Sequence, residues 1–446
     1  MNDITHQKNF HLVRTSMYLL LIFIFMLGFF ERFAPAAFAA DLMSEFKISG
    51  STLGTITAVY FITYTALQIP AGILSDRFGP RKIVGTGAII AGLGSLLFSV
   101  SPTLSLIGLG RFLVGLGGAT VFIGIMKFNT QWFHKRNYGM ISGITLLLGN
   151  LGAAISAGPL AVILDYFTWR NTFGTTGTIS IVLGIIIVLY VKNEPSEAGF
   201  TVHYKDSDKQ SYKANQEKWY LELYKVTVNK HIWPIFVASI GTNATFYAFA
   251  GLWGIPLLTD SFALSNNEAS LYTTLGLTAY GLASVMIGWW SDKVGLRKPF
   301  VIASSFLAAF GWLGLIIFPW QPGWSGLFLY LIIGLAAAQM VVSFAAVKEL
   351  VPTHVAGMAL ALVNTGVFLA VSLIQPLFGW ILDISSNDVF IDGMRYYTFE
   401  NYRYGLWFSF IISLTGLVAS LFVKETYCGE KNLKSQRSQG LSHPID

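Results

Sequence analysis

Gly72-Ile-Leu-Ser-Asp76-Arg77-Phe-Gly79-Pro-Arg81-Lys82 and Gly288-Trp-Trp-Ser-Asp292-Lys293-Val-Gly295-Leu-Arg297-Lys298 are the two stretches on which the fold of this chain turns. Seven positions correspond at a fixed offset of 216, the Arg77–Lys293 pair among them. Each stretch is a short basic loop that follows an apolar window. Crossing the hydrocarbon core of a bilayer takes about 20 apolar residues in a helix. Windows of that length start near Met17, Thr52, Ile83, Leu104, Tyr138 and Thr172, and again near Ile232, Ser270, Phe300, Trp324, Val355 and Tyr404. The two loops therefore follow the second and the eighth window, and the chain reads as six spans plus six.

Composition agrees. Of 446 residues, 54% are apolar and 12% are charged, against about 25% charged in an ordinary soluble domain. The net charge of +6 has a simple source in loops on one side of a membrane, and nucleic acid is not an expected partner. With the N-terminus placed in the cytoplasm, 22 of the 29 Lys and Arg fall inside, four outside and three within spans. The opposite orientation would invert that bias. The expected architecture is an all-α membrane protein of twelve transmembrane helices in two pseudo-symmetric six-helix halves, with both termini cytoplasmic. Its parts are a segment 1–16, a half 17–191, a central linker 192–230, a half 231–423 and a tail 424–446. Cleavage of the first span as a signal peptide is not expected, because Glu31 and Arg32 interrupt its far end. The single cysteine, Cys428, can build neither an internal disulfide nor a metal cluster.

The repeat extends further. The fifth span opens with Gly139-Met140 and closes with Pro159 and Asp165, and the eleventh opens with Gly357-Met358 and closes with Pro376 and Asp383. A parallel repeat of this kind implies two halves about an axis along the membrane normal, with a site between them near the midplane.

The doubled Gly-x-x-x-Asp-Arg-x-Gly-x-Arg-Lys loop, together with Arg111-Phe-Leu-Val-Gly115-Leu-Gly117-Gly118-Ala in the fourth span, resembles the signatures of the major facilitator superfamily. The resemblance covers nearly the whole chain. It implies a secondary transporter that works by alternating access. It also implies gating roles for Asp76, Arg77, Arg81, Asp292 and Arg297. Asp76 would satisfy the N-terminus of the eleventh span and Asp292 that of the fifth. The last loop Arg of such proteins often pairs with an acid at the end of the fourth span, and no acid stands between Thr120 and Arg136. The fifth-span motif of drug:proton antiporters is only partial, since Gly149-Asn-Leu-Gly152 is followed by Gly158-Pro159-Leu160-Ala161. Tyr60-Phe-Ile-Thr-Tyr64 before Gln68-Ile-Pro70 resembles bacterial organic-anion and metabolite symporters.

Ionisable residues within a membrane are functional by default, because each costs roughly 2.5–3.5 kcal/mol at a helix centre. The predicted spans hold one acid, Glu31, and three bases, Arg32, Arg111 and Lys127. Arg32 suits a carboxylate or phosphate, which a guanidinium binds bidentately. Its alternative is a structural pair with Glu31, although neighbours on a helix point about 100° apart. Arg111 suits pairing with Glu31 or contact with solute. Lys127, near the end of its span, suits snorkelling or gating. Glu31 is the candidate for proton coupling, since a carboxyl kept from water favours its neutral form. Tyr60, Tyr64, Asn150, Asn243, Tyr247, Tyr280, Gln339, Asn364 and Gln375 are the remaining candidates for the cavity wall, each weighed against helix–helix hydrogen bonding. Trp253 and the Trp289–Trp290 pair are expected at the lipid interface.

The excess of bases favours proton-coupled uptake of a small organic anion: a carboxylate, an amino acid or a phosphorylated metabolite. Efflux of drugs or siderophore-like compounds and a non-transporting sensor are the competing readings. No nucleophile–base pair or metal spacing suggests an enzyme, and no phosphate-binding Gly-x-x-x-x-Gly-Lys-Ser/Thr is present. No cofactor is expected beyond a coupling proton. The expected partners are a solute and the lipid bilayer, with the chain a monomer in a bacterial inner membrane.

Overall fold

The computed structural model describes residues 2–133, 138–200, 219–352, 355–386, 390–391, 394–395 and 397–427. Backbone N–H and C=O groups in lipid must be paired within the chain, and helices do this locally. The regular elements among the described residues are accordingly helices, apart from a two-residue antiparallel pairing of Phe390–Ile391 with Met394–Arg395. The long helices are α1 (Asn9–Phe46), the helix Gly50–Val100, α4 (Leu104–Trp132), α5 (Ile141–Leu164) and α6 (Trp169–Tyr190), then α7 (Ile232–Phe262), α8 (Asn266–Val294), α9 (Lys298–Ile317), α10 (Trp324–Glu349), α11 (Ala356–Ser385) and α12 (Phe399–Leu421). Gly50–Val100 breaks at Gly79, and its arms 50–78 and 80–100 are here called α2 and α3. Among the described residues, 11 helices are long and apolar enough to cross a membrane.

Gly79 breaks the helix for two reasons. Its φ of 76° with ψ of 167° lies where only glycine sits without strain. A β-carbon there would also collide with the Asn193 side chain, whose Oδ1 accepts from the Arg81 N–H at 3.1 Å. The second loop repeats the device. Gly295 ends α8 at φ 77°, and the Glu425 carboxylate accepts from the N–H groups of Arg297 and Lys298 at 2.7 and 3.0 Å. Asn193 and Glu425 lie just beyond the last helix of each half, so each half closes its own loop.

Three helices depart from α geometry part-way along their length. α1 passes into a 3₁₀ turn at Ala34–Phe38, with Pro35 at its start. α7 contains two π-helical turns, Ile240–Ala244 and Phe249–Trp253. α10 is interrupted at Ala338, directly before Gln339. π turns recur at functional sites because they re-aim side chains within an otherwise continuous helix.

The halves meet most tightly along α2 and α11 at the end that carries Gly50. Gly50 and Gly379 pack backbone against backbone, and a β-carbon on Gly54 would lie 2.5 Å from the Gln375 carbonyl oxygen. At the other end, near Gly79, the same helices leave open space beside two glycines: β-carbons built on Gly72 and Gly357 meet nothing within 4 Å. The Gly50 end is closed and the Gly79 end is splayed.

Candidate functional site

Arg32 is 5% exposed and sits where the halves meet. Its Nε donates to the Tyr60 hydroxyl at 3.0 Å. Its guanidinium carbon lies 4.4 Å from the Phe29 ring centre, 5.5 Å from Tyr60, 4.6 Å from Tyr64 and 4.7 Å from Phe368. Phe29 is one turn back on α1, Tyr60 and Tyr64 are one turn apart on α2, and Phe368 comes from α11 in the other half. Among the described residues Arg32 has no carboxylate within ion-pair distance. A desolvated cation over aromatic faces gains about 2 kcal/mol or more, so the rings help to hold the charge where a counter-ion would otherwise be needed.

Phe368 carries the site into the second half. Tyr247 stacks on it, with ring centres 5.7 Å apart, and the Tyr247 hydroxyl meets that of Tyr280 at 2.9 Å. Tyr280 in turn lies beside the Asn150 side chain of α5. Asn150 Nδ2 donates to the Leu146 carbonyl at 3.0 Å, while its buried Oδ1 has no partner. Gln375 lies two turns along α11 from Phe368, towards the closed end: its Nε2 points to the Ala248 carbonyl at 3.5 Å, and its Oε1 also lacks a partner. Asn364 is half-buried on α11, one turn from Phe368 towards the splayed end.

Glu31 points away from Arg32, as the 100° step requires. It is 1% exposed and accepts from Ser95 Oγ of α3 at 2.6 Å. Arg111 does reach it, but through the main chain: its Nη1 donates to the Glu31 carbonyl oxygen at 2.9 Å. The expected side-chain ion pair does not form within 4 Å among the described residues. Arg111 is buried to 1%, between Phe98 and Phe173 at 4.8 and 5.5 Å, and its Nε and Nη2 have no hydrogen-bond partner. A cavity of about 20 Å³, lined by Gly28, Glu31, Arg32, Tyr60 and Ser180 among others, separates the Glu31 and Arg32 faces of α1. That is room for about one water.

Several expectations are corrected. Asn243 and Gln339 bond to each other at 3.4 Å, and Gln339 to Ser305 at 3.1 Å. They tie α7, α9 and α10 together instead of joining the Arg32 cluster. Trp253 is 1% exposed and donates to the Gln375 carbonyl. It is a core residue beside the irregular part of α7, whereas Trp289 and Trp290 are exposed. Asp292 pairs with Arg297 of its own loop at 2.7 Å, and the N-terminus of the fifth span that it was expected to satisfy lies at the edge of residues outside the described ones. The side chains of Asp76 and of residues 134–140 lie outside the described residues. Arg77 is exposed beside Phe78, and Lys127 is half-buried near the splayed end of α4.

The basic loops have partners that sequence reasoning missed. Arg81 Nε donates to the Val188 carbonyl at the end of α6 at 2.5 Å. Glu197 lies nearby; burial opposes its charge, yet the Asn193 N–H donors, Arg81 and Lys192 together hold its carboxyl below the usual range. Arg297 bonds Glu349 at 2.9 Å as well as Asp292. Burial works against its charge, but those two carboxylates outweigh it and raise its proton affinity.

The closed end was also missed as a site. Asp383, at the end of α11, accepts from the N–H groups of Gly50 and Ser51 at 3.1 and 2.9 Å. Tyr397 donates to the same carboxylate at 2.5 Å and accepts from Gly50 N–H at 2.9 Å. An acid of one half thus caps the first turn of a helix in the other. The counterpart seam is weaker. Asp165 is met by Asn267, but the N-terminus of α8 is already capped by its own Ser265–Glu268 box.

The family model described as "Major Facilitator Superfamily" matches residues 20–255 and 235–443. The chain is 24% identical over 423 residues to the "Uncharacterized transporter YybO" of Bacillus subtilis, covering 91% of this chain and 92% of that one. It is 25% identical over 368 residues to a "Probable hexose phosphate transport protein" of Chlamydia muridarum, covering 75% and 79%. It is 23% identical over 307 residues to a "Probable L-galactonate transporter" of Escherichia coli, covering 67% of each. Among solved structures, a bacterial homologue of the human lysosomal transporter Spinster aligns with a TM-score of 0.71 at 16% identity, over 92% of this chain and 98% of that one. A D-xylose-proton symporter aligns with a TM-score of 0.70 at 17% identity, over 92% and 97%. With the matched segments spanning nearly all of the chain, this protein belongs to the major facilitator superfamily and is a multi-pass membrane transporter of small solutes, not an enzyme.

Proposed function

We propose that this transporter takes up a small organic anion by proton-coupled alternating access. The observation that carries the reading is Arg32: a buried cation at the junction of the halves, caged by rings from both and without a carboxylate among the described residues. A guanidinium so placed is completed by an anionic solute. Relatives named for hexose phosphate and L-galactonate, both anions at neutral pH, support it.

Coupling follows from charge. Arg32 and Arg111 against an ionised Glu31 give the site a net charge of +1, and a proton on Glu31 raises it to +2. The solute then meets a more positive site when a proton is bound, which is the condition for symport. The second helix α2 supplies a twelfth span in this reading, and the bias of Lys and Arg puts the Gly79 end and both termini in the cytoplasm. The closed Gly50 end then faces outward, so the conformation is inward-facing. A monomer in a bacterial inner membrane completes the proposal.

The test is uptake by the purified protein in proteoliposomes under an inward proton gradient, with C4–C6 carboxylates and hexose phosphates as solutes. Arg32→Gln should abolish uptake and binding. Glu31→Gln should spare counterflow exchange and remove the dependence on the gradient. Uptake unchanged in Arg32→Gln, or transport of lipophilic cations alone, would overturn the reading.

A further inference from the structure

The Arg32 cluster is asymmetric in what it offers a solute. On the α1–α2 side there is one guanidinium. Arg111, the buried cation of α4, is held on the far side of Glu31 by that residue's carbonyl oxygen and is walled in by Phe98 and Phe173. On the side of α5, α7, α8 and α11 the neighbours are neutral: Tyr247, Tyr280, Asn150, Phe368 and Gln375.

Those neutral groups have a direction. Asn150 and Gln375 each aim their amide N–H at a main-chain carbonyl, Leu146 and Ala248 respectively. That fixes the amide orientation, since the reverse would set oxygen against oxygen. Their carbonyl oxygens, Asn150 Oδ1 and Gln375 Oε1, are buried acceptors without donors. A buried acceptor left unpaired costs about 1–3 kcal/mol. The Tyr247–Tyr280 pair shares one hydrogen between two hydroxyls, so the second remains able to donate. The wall asks for a body that brings O–H donors and also accepts. An ammonium would donate too, but no acid among the described residues stands beside this wall to balance it.

Charge narrows the head group. A phosphate monoester carries about −1.5 to −2 at neutral pH, and since Arg111 is held away by the Glu31 carbonyl, Phe98 and Phe173, the single guanidinium that faces this wall leaves much of that charge without a direct partner. A carboxylate closes the balance with Arg32 alone.

Resting on the anion-uptake reading, we infer that the solute is a polyhydroxy monocarboxylate. Its carboxylate sits on Arg32 between the Tyr60–Tyr64 face and Phe368. Its hydroxyls donate to Asn150 Oδ1 and Gln375 Oε1 and exchange hydrogen bonds with the Tyr247–Tyr280 pair.

The experiment is equilibrium binding to the full-length protein in detergent, followed by intrinsic tryptophan fluorescence and by thermal shift. The probes are D-gluconate, D-galactonate, L-galactonate, hexanoate, glucose 6-phosphate and glucose. At least one of the three hydroxy acids should bind. Hexanoate, of the same length without hydroxyls, should bind at least on the order of 100-fold more weakly, as expected where polar groups are left unpaired. Glucose 6-phosphate and neutral glucose should not compete. Tyr280→Phe and Asn150→Leu should each narrow the hydroxy acid to hexanoate ratio by about tenfold, the loss of one hydrogen bond, and two variants guard against one that fails to fold. Equal binding of hexanoate would overturn the hydroxyl requirement. Preference for glucose 6-phosphate would overturn the single charge and leave the anion reading intact. Binding by none of the anions would overturn both.

Discussion

Replacing Asp383 by Asn tests the closed seam directly. In the closed form its carboxylate accepts two N–H groups from the first turn of α2 and one phenol hydrogen, at 3.1, 2.9 and 2.5 Å. Hydrogen bonds to a charged group contribute about 1.5–3 kcal/mol each and neutral ones about 1. A negative charge at a helix N-terminus adds about 0.3–1 kcal/mol. Asn keeps one acceptor oxygen and loses both the charge and the second oxygen. Asp383 is half-buried, so water screens part of the difference, and a net loss of about 2 kcal/mol is expected. These contacts join the halves and break when the Gly50 end opens, so the whole loss falls on the closed form. At a factor of ten for each 1.4 kcal/mol, the closed-to-open ratio should fall about 30-fold. Spin labels at Lys47→Cys and Ser386→Cys, in a Cys428→Ser background and reconstituted in nanodiscs, would report the separation of α2 from α11. Pulsed dipolar spectroscopy should show a longer-distance population growing in Asp383→Asn. Identical distance distributions in parent and variant would refute the latch.

The loop cation Arg297 gives a second, graded test. Glu349 is largely buried against it, at 18% side-chain exposure, whereas Asp292 is 67% exposed. Glu349→Gln should cost about 1.5–3 kcal/mol by removing the charge from the buried partner that Arg297 bonds, but Asp292→Asn less than about 1 kcal/mol, both read from unfolding temperature in detergent. The reverse order would show that the loop is held some other way. Phe368→Leu removes one wall of the Arg32 cage and the stack on Tyr247, and should weaken anion binding about tenfold, about what a desolvated cation–π contact is worth. Unaltered affinity in a folded variant would mean that the cage does not position Arg32.

The membrane class and the doubled loop were legible because they depend on properties that run along the chain. About 20 apolar residues must be contiguous to cross lipid, and a repeated loop repeats its glycine. Gly79 and Gly295 therefore announce both turns, and Arg32 announces itself as a charge too deep for water. What the chain does not write down is direction. In a bilayer the outward face of a helix is as apolar as its core face, so hydrophobic periodicity, which would aim side chains in a soluble protein, carries little information. Trp253 shows the consequence: its composition suits an interface, and tertiary packing buries it against Phe378 and the Gln375 carbonyl. Asn243 and Gln339 are polar candidates of the same kind, yet they pair within one half. The Val188 carbonyl that receives Arg81 is invisible to a search for acids, because a main-chain oxygen has no letter of its own. The sequence by itself determined that this chain lives in lipid, repeats once and buries charge. Only the tertiary structure decided that Phe368 completes the cage around Arg32 and that Asp383 caps α2, since both contacts join residues more than 300 positions apart, across a seam that no local pattern encodes.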